Sequence, residues 1–195
     1  MNIYDSIRIR DDIPYLLNYL SLTGIGVEVG TQNGLYAQVL LGGSFLSKLV
    51  LVDCWDLFIN KFQNDSDFTK EKLEGMESKV RERFKYHILN KRVEIKKGFS
   101  LDISNLFKDN SLDFVYLDAD HREESVSKDL YAWYPKIKSK GIISGHDYIN
   151  NKPWPPTYIK FGVIEAVSKF RVNLPDHDFF ITEDDIIPSW IIVKP

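Results

Sequence analysis

The sequence predicts a doubly wound α/β fold in three layers: a seven-stranded, mostly parallel sheet with helices on both faces and a C-terminal antiparallel hairpin. Two observations carry this prediction. Short apolar runs rich in Val and Ile alternate five times with segments of helical spacing, and the last two apolar runs are only a few residues apart. Such runs suit strands that are buried on both faces of a parallel sheet, whereas a short connection allows only an antiparallel pair.

The predicted elements follow one another along the chain. Strands are expected at residues 25–29, 49–52, 93–95, 112–117 and 141–144, each bounded by turn or charged residues, and the hairpin at residues 178–182 and 189–193. Helices are expected at residues 13–22, 35–41, 67–89, 101–107, 123–133 and 161–170. Because strand–helix–strand crossovers are right-handed, this alternation distributes the helices over both faces of the sheet.

Length and composition limit the class of protein. The 195 residues, 44% of them hydrophobic, suffice for one well-buried core, so we expect a single domain over residues 1–195 with an N-terminal helical segment at residues 1–23. A formal net charge of −3 gives no overall attraction to phosphates. We therefore expect no nucleic-acid partner.

The sequence also favours a cytoplasmic location. The first twelve residues carry five charges without a following apolar run, which argues against a signal peptide, and no stretch is long enough to cross a bilayer. The single cysteine, Cys54, excludes an internal disulfide and fits a reducing compartment. We expect no membrane contact.

Two stretches lack a regular pattern. Residues 56–69 are aromatic and polar, and residues 150–158 contain three prolines and Trp154. Both follow predicted strands and precede predicted helices, which places them at the sheet edge where ligands bind. We interpret them as substrate-side loops, and the alternative is that they are ordinary variable connections.

Acidic, glycine and histidine residues stand at five successive strand ends. In an open α/β sheet, ligands sit outside the carboxyl ends of the strands. These ends carry Glu28-Val29-Gly30-Thr31-Gln32-Asn33-Gly34, Asp53, Gly98-Phe99-Ser100, Asp118-Ala119-Asp120-His121 and Gly145-His146-Asp147-Tyr148. A purely structural chain would scatter such residues between both edges, so the pattern predicts a ligand site.

The first two strand ends indicate a nucleoside. Gly30 permits a tight turn, and together with Gly34 it lets a ligand approach the backbone at a helix start. Asp53 stands where a carboxylate can bind both hydroxyls of a ribose. Gly24 and Gly26 precede the first strand, so the three-glycine dinucleotide fingerprint is missing, which argues against a nicotinamide-dependent oxidoreductase.

The ordered motifs resemble class I S-adenosylmethionine-dependent methyltransferases. They are Glu28-x-Gly30-x-x-x-Gly34, Asp53 and the run 112–121, followed by Lys128-Asp129-Leu130, Trp133 and the run 141–148. The later motifs are similar to those of a group of small bacterial enzymes related to sugar and small-molecule O-methyltransferases. The resemblance implies a Rossmann-like fold, S-adenosylmethionine as cofactor and transfer to a small-molecule acceptor, a hydroxyl group first of all.

The resemblance also implies a set of cofactor-binding residues: Glu28, Gly30, Thr31, Gly34, Asp53, Cys54, Trp55, Gly98, Phe99, Ser100, Asp118, Ala119 and Asp120. Gly30 would pass beneath the methionine part, Glu28 would hold its loop or the amino group, and Asp53 would bind the ribose. Asp118 would face the methionine part or a metal.

Four of these residues are expected near the adenosine. Cys54 and Trp55 would flank it, and Phe99 and Ser100 would lie near the adenine. Each has a structural alternative, since Cys54 can fill core space, Trp55 can anchor the core, and Ser100 can cap the next helix.

Histidines are the candidate bases. Methyl transfer is an in-line displacement, and a base helps when the nucleophile is a hydroxyl group. His121 and His146, with Asp147, are the catalytic candidates, and we favour His121 because His146 beside Asp147 can equally be held by hydrogen bonds. For either histidine, the alternative is that it only fixes a loop.

The requirement for a metal is open. Metal-dependent relatives hold Mg²⁺ with carboxylates from the fourth and fifth strand ends, which correspond here to Asp118 and Asp147. Carboxylate oxygens suit this hard ion. Those relatives place a third ligand, an amide or a carboxylate, directly after the carboxylate of the fifth strand end. Tyr148 stands at that position in this sequence.

Acceptor, turnover and assembly are also open. Aromatic residues in the irregular stretches and beside them suit a sugar, polyketide or phenolic acceptor, namely Trp55, Phe58, Phe62, Trp154 and Tyr158. A nucleoside-binding regulatory or partner protein without turnover is the alternative function, although the chain keeps the acidic and glycine residues that such a protein would lose. The helix at residues 13–22 can cover its own pocket or pack in a homo-oligomer.

Overall fold

The computed structural model describes residues 3–55, 70–149, 161–183 and 185–195, with the backbone alone for residues 70–74. Both irregular stretches, residues 56–69 and 150–158, lie outside the described residues. So do four of the aromatic residues expected to contact the acceptor, which are Phe58, Phe62, Trp154 and Tyr158.

Seven strands form one sheet in the order β3-β2-β1-β4-β5-β7-β6. They are β1 (Ile25–Val29), β2 (Lys48–Asp53), β3 (Val93–Lys97), β4 (Leu112–Leu117), β5 (Ile137–Gly145), β6 (Asp178–Ile181) and β7 (Trp190–Val193). The first five strands are parallel to one another, and β7 is antiparallel to both β5 and β6. The predicted mostly parallel sheet with a closing hairpin is confirmed.

The helices are α1 (Ile13–Tyr19), α2 (Leu35–Gly43), α3 (Lys70–Arg83), α4 (Lys85–Leu89), α5 (Ser100–Ser104), α6 (Glu123–Trp133) and α7 (Val163–Arg171). Short 3-10 turns occur at Ile3–Ser6, Arg10–Asp12 and Tyr134–Lys136. No helix in the described ranges is long and apolar enough to span a membrane.

Three helices differ from the sequence prediction, and one of them, α5, ends at Ser104 instead of residue 107. The segment expected as one helix at residues 67–89 is divided at Phe84, whose backbone leaves helical geometry (φ −101°, ψ 11°) while its ring is buried. This ring lies against Gly34, where a Cβ atom would come within 2.8 Å of it. The N-terminal helix ends at Tyr19 because Ser21 adopts a positive φ of 58°.

The core consists of two apolar layers separated by the sheet. Leu49 and Leu51 pack in the layer that contains α1 and α2, whereas Val50 and Val52 pack in the layer that contains α6 and α7. Side chains alternate between the faces of a strand, so an entirely apolar strand buries both. This explains why the Val and Ile runs predicted the strands well.

Helix α2 offers a test of this layering with one chemical change at two positions. Leu40 is fully buried, whereas Leu35 is 56% exposed. We expect Leu40→Ala to lower the free energy of unfolding by about 3 kcal/mol, because it leaves a cavity in the core, and Leu35→Ala to change it by less than about 0.5 kcal/mol. Urea unfolding followed by circular dichroism measures both, and equal losses would contradict the layering.

Candidate functional site

The loop after β1 joins three strand ends at the centre of the sheet. The neighbouring strands β1 and β4 mark the point where the strand order reverses, and this is where an open α/β sheet forms a crevice. The backbone N–H of Gly30 donates to the carbonyl oxygen of Val52 at 2.8 Å, and that of Asp118 donates to Val29 at 2.8 Å. The ends of β1, β2 and β4 are therefore held together.

Gly30 is required by the geometry of this loop. Its φ is +93°, and a Cβ atom would lie only 2.0 Å from the carbonyl oxygen of Asp118. Gly34, at φ +77°, begins α2 in the same left-handed region. Both positions exclude side chains, because the Asp118 backbone and the Phe84 ring occupy the space where a Cβ atom would lie, so the turn packs tightly at the start of a helix.

Asp53 ties the first two loops together. Its carboxylate accepts hydrogen bonds from the backbone N–H groups of Gln32 at 2.7 Å and Trp55 at 2.8 Å. Burial raises the pKa of Asp53 above its ordinary value, although these donors oppose the shift. A carboxylate oxygen can accept more than one hydrogen bond, so contact with a ribose stays compatible with this arrangement.

Trp55 and Cys54 differ in their exposure. Trp55 is only 1% exposed, and its indole N–H donates to the Gln32 carbonyl at 2.7 Å, so the side chain anchors the core. Cys54 is half-buried. Contact of either residue with an adenosine stays a prediction.

The end of β3 connects to the neighbouring helices. The Gly98 N–H donates to the Asp53 carbonyl at 2.9 Å, and Phe99 is 42% exposed. The Ser100 hydroxyl donates to the Asp129 carboxylate at 2.5 Å and accepts from the Trp133 indole at 2.9 Å. Ser100 therefore links α5 to α6 and is not the helix cap considered as its alternative. Burial raises the pKa of Asp129 to about 6.

Glu28 is a buried carboxyl group near the centre of the crevice. It is 3% exposed, and its Oε2 atom has no hydrogen-bond partner within the described part of the chain. Burial raises the pKa of Glu28 to about 8, and the neighbouring carboxylates of Asp118 and Asp53 raise it too. A buried carboxyl oxygen without a partner is costly, and an amino group of a ligand would satisfy it.

The ends of β4 and β5 form an acid–histidine cluster, which consists of Asp118, His121, His146 and Asp147. Asp147 Oδ2 lies 3.0 Å from His121 Nδ1 and 3.3 Å from His146 Nδ1. His146 Nδ1 lies 3.9 Å from Asp118 Oδ1. Asp147 is held at a positive φ of 58°, a strained conformation that is typical of functional sites. The four predicted residues are thus brought together.

The pKa values in this cluster depend on how its charged groups pair. Burial alone would raise the pKa of Asp147, but the hydrogen bond to His146 and the charges of both histidines bring it below its ordinary value. Burial alone would lower the pKa of His146, but Asp147 and Asp118 raise it. Burial raises the pKa of Asp118. The cluster therefore favours a charged His146 beside an ionised Asp147.

His121 is also fixed by the segment before α7. Its ring stacks on Phe161 with 5.0 Å between ring centroids and 12° between planes, and its carbonyl oxygen accepts from the Gly162 N–H at 2.9 Å. With Nδ1 facing Asp147, the other ring nitrogen, Nε2, is the one left for a ligand.

Asp120 has local partners. Its carboxylate forms an ion pair with Arg122 and accepts from the Ser125 hydroxyl at 2.8 Å. Burial would raise the pKa of Asp120, but these partners bring it below its ordinary value. Its backbone neighbour Ala119 lies against the Gly30 turn. The cofactor roles of both residues stay predictions.

Three members of the acid–histidine cluster have the spacing of metal ligands. One ligand atom each from Asp118, His121 and Asp147 lie within 4.8 Å of one another. The set offers two carboxylates and one imidazole. His121 joins the pair of carboxylates that the sequence indicated as a metal site.

Sequence reasoning missed Arg10 and two tyrosines at this edge. The Arg10 Nη1 atom lies 3.8 Å from Asp118 Oδ2, and its guanidinium carbon lies 4.8 Å from the ring centroid of Tyr36. Tyr36 and Tyr116 are buried, with ring centroids 4.4 Å apart. Tyr116 places a hydroxyl group in the mostly apolar strand β4, and this polar group is a signal from which the sequence could have indicated its place near the site.

A separate surface groove of about 860 Å³ lies along α5 and α6. It is lined by Leu101, Glu123, Glu124, Ser127, Lys128, Tyr131 and Ala132. None of these residues belongs to the strand ends with glycine turns or carboxylates. The crevice at the switch point therefore remains the candidate site.

The chain is similar to a known family and to solved structures. A family model described as a methyltransferase domain matches residues 27–148, which extend from β1 to just past β5. The O-methyltransferase from Bacillus cereus, solved with S-adenosylhomocysteine (SAH), is 15% identical and has a TM-score of 0.63 over 94% of this chain and 80% of its own. No curated protein matches the sequence.

Two further solved structures share the fold. The SAH-bound methyltransferase PaMTH1 from Podospora anserina is 16% identical, with a TM-score of 0.63 over 94% of this chain and 76% of its own. The spermidine synthase from Thermotoga maritima is 14% identical, with a TM-score of 0.59 over 98% of this chain and 60% of its own. At these identities the likeness establishes the fold, and function depends on the site.

The glycine turn can be tested with a matched substitution. We expect Gly30→Ala to lower the free energy of unfolding by more than about 2 kcal/mol, because alanine is strained at this φ and collides with the Asp118 carbonyl. Gly42→Ala is the control, since a Cβ atom there meets nothing within 4 Å. In the interior of α2 this change should stabilise the fold by about 0.5–1 kcal/mol. Urea unfolding measures both, and a neutral Gly30→Ala would contradict the turn.

Proposed function

The chain belongs to the methyltransferase domain family, and from this premise we propose that it transfers a methyl group from S-adenosylmethionine to a hydroxyl group of a small-molecule acceptor. Membership of the family confirms the resemblance to class I S-adenosylmethionine-dependent methyltransferases. One observation carries the proposal, namely that three features converge at one edge of the sheet. They are a glycine turn, a pair of histidines, and a buried carboxyl group whose Oε2 atom has no hydrogen-bond partner among the described residues. The cytoplasmic location, the absence of a nucleic-acid partner and the oligomeric state stay predictions.

The residues at the switch point fit this cofactor. Gly30 and Gly34 offer bare backbone for the methionine part, Glu28 offers a carboxyl oxygen for its amino group, and Asp53 offers a carboxylate for the ribose. The cofactor supplies an electrophilic methyl group on a sulfonium. The remaining residues proposed around it are Thr31, Cys54, Trp55, Gly98, Phe99, Ser100, Asp118, Ala119 and Asp120.

The acid–histidine cluster supplies the base. Asp147 Oδ2 lies 3.0 Å from His121 Nδ1 and so orients the ring, which turns Nε2 towards the acceptor. His121 Nε2 would take the proton of the acceptor hydroxyl, while the sulfonium would give up its methyl group to the acceptor oxygen and leave as a neutral thioether. His146, charged beside Asp147 and Asp118, holds the loop in place.

The donor set does not fit Mg²⁺ well. This ion prefers oxygen ligands in octahedral geometry, whereas the third ligand here is an imidazole and Tyr148 follows Asp147. The Asp147 Oδ2 atom also lies close to two imidazole nitrogens. We therefore assign proton transfer to His121 and derive no step through a metal.

Calorimetric titration tests the cofactor. We expect the protein to bind S-adenosylmethionine and SAH with micromolar affinity, with and without magnesium. Asp53→Ala should weaken binding by about 10- to 100-fold, because hydrogen bonds to a charged group contribute about 1.5–3 kcal/mol. Asp176→Ala, at an exposed position, is the control. Absence of binding by folded wild type would refute the proposed function.

Steady-state kinetics test the base. With an acceptor found by screening sugars and phenols, we expect His121→Gln to lower kcat by about 10²- to 10⁴-fold, the usual contribution of a general base. SAH affinity should stay within about 2-fold, since the imidazole acts on the acceptor. The control is His87→Gln in α4. An unchanged kcat in His121→Gln would show that the imidazole only fixes its loop.

A further inference from the structure

The crevice gathers four carboxyl groups. Glu28, Asp53, Asp118 and Asp147 all belong to the ends of neighbouring strands. A ligand that carries an ammonium group is attracted to such an edge, but a ligand that also carries a carboxylate is repelled unless a cation lies nearby. The methionine part of the proposed cofactor carries both groups.

Arg10 brings a permanent positive charge to this edge. Its guanidinium lies beside Asp118 and over the Tyr36 ring. Burial raises the pKa of Glu28 and Asp118, and the charge of Arg10 opposes the shift in both. Arg10 therefore acts electrostatically on the two carboxyl groups nearest the expected methionine part.

The backbone of Arg10 is anchored by two other parts of the fold. Its N–H donates to Asp185 Oδ2 at 2.7 Å, in the connection between β6 and β7, and its carbonyl oxygen accepts from the Tyr36 hydroxyl at 2.9 Å. The 3-10 turn Arg10–Asp12 is thus held between the hairpin and the start of α2. These contacts fix the guanidinium at the mouth of the crevice.

The guanidinium also contacts the Tyr116 hydroxyl, and its Nε atom lies 4.0 Å from Asp11 Oδ1. These contacts and the one with Asp118 still leave donors for another partner. At 3.8 Å, the distance from Nη1 to Asp118 Oδ2 exceeds the length of a hydrogen bond. A guanidinium carries five N–H donors and binds a carboxylate through two of them. The side chain is half-buried, so a ligand in the crevice can reach it while part of the surrounding water is excluded.

We propose that Arg10 binds the α-carboxylate of the methionine part of the cofactor, while Glu28 and Asp118 receive its ammonium group. This inference rests on the proposed function. It makes the N-terminal segment part of the cofactor site, because the segment delivers a permanent positive charge that pairs with the carboxylate of the amino acid zwitterion.

Two ligands that differ in one carboxylate test the proposal. We expect Arg10→Gln to weaken binding of S-adenosylmethionine by about 10- to 100-fold, the range for hydrogen bonds to a charged group. Binding of decarboxylated S-adenosylmethionine should be unchanged or tighter. That ligand has no carboxylate for Arg10 to bind, and removal of the guanidinium removes a charge that repels its ammonium group. Calorimetry measures both affinities, and Arg8→Gln is the control at an exposed arginine two residues away.

Each outcome has a distinct meaning. Equal weakening of both ligands, or no change in either, would overturn the role of Arg10. Failure of folded wild type to bind either ligand would refute the proposed function itself. Circular dichroism checks the fold of each variant. Should Arg10→Gln not fold, Arg10→Lys is the second variant, since lysine keeps the charge but lacks the paired donors. It should weaken binding of S-adenosylmethionine by about 3- to 10-fold and leave binding of the decarboxylated ligand unchanged.

Discussion

The close approach of the Gly30 backbone to the Asp118 carbonyl is the constraint on which the site depends. Only a residue without a side chain can make it, since a Cβ atom would stand 2.0 Å from that oxygen. The approach brings the loop after β1 against the ends of β2 and β4 at the switch point of the sheet. Glu28, Asp53 and Asp118 are near one another because this one turn is tight.

The electrostatics of the site depend on that geometry. Burial and the neighbouring carboxylates of Asp118 and Asp53 raise the pKa of Glu28 to about 8. Placing several carboxyl groups close together is electrostatically unfavourable. Two histidines around Asp147 and Arg10 beside Asp118 offset this repulsion. Acids and cations side by side in one crevice suit a zwitterionic ligand such as the methionine part of the cofactor.

The sequence predicted the sheet better than the site. Strands were found close to their expected positions because entirely apolar runs have one good solution, burial on both faces. The helix at residues 67–89 was divided because the packing of Phe84 against Gly34 is a tertiary contact that periodicity does not encode. Arg10 was missed for the same reason, since its contact with Asp118 joins residues 108 positions apart in the sequence. The burial of Trp55 agrees with the core-anchor alternative that the sequence had left open.

A crystal structure of the protein with SAH tests the central claim most directly, because it measures where the ligand lies relative to the Gly30 turn. The account predicts the ribose hydroxyls on Asp53, the amino group near Glu28 and the homocysteine part across the bare backbone of Gly30. SAH bound in the groove along α5 and α6, or at the opposite edge of the sheet, would contradict it.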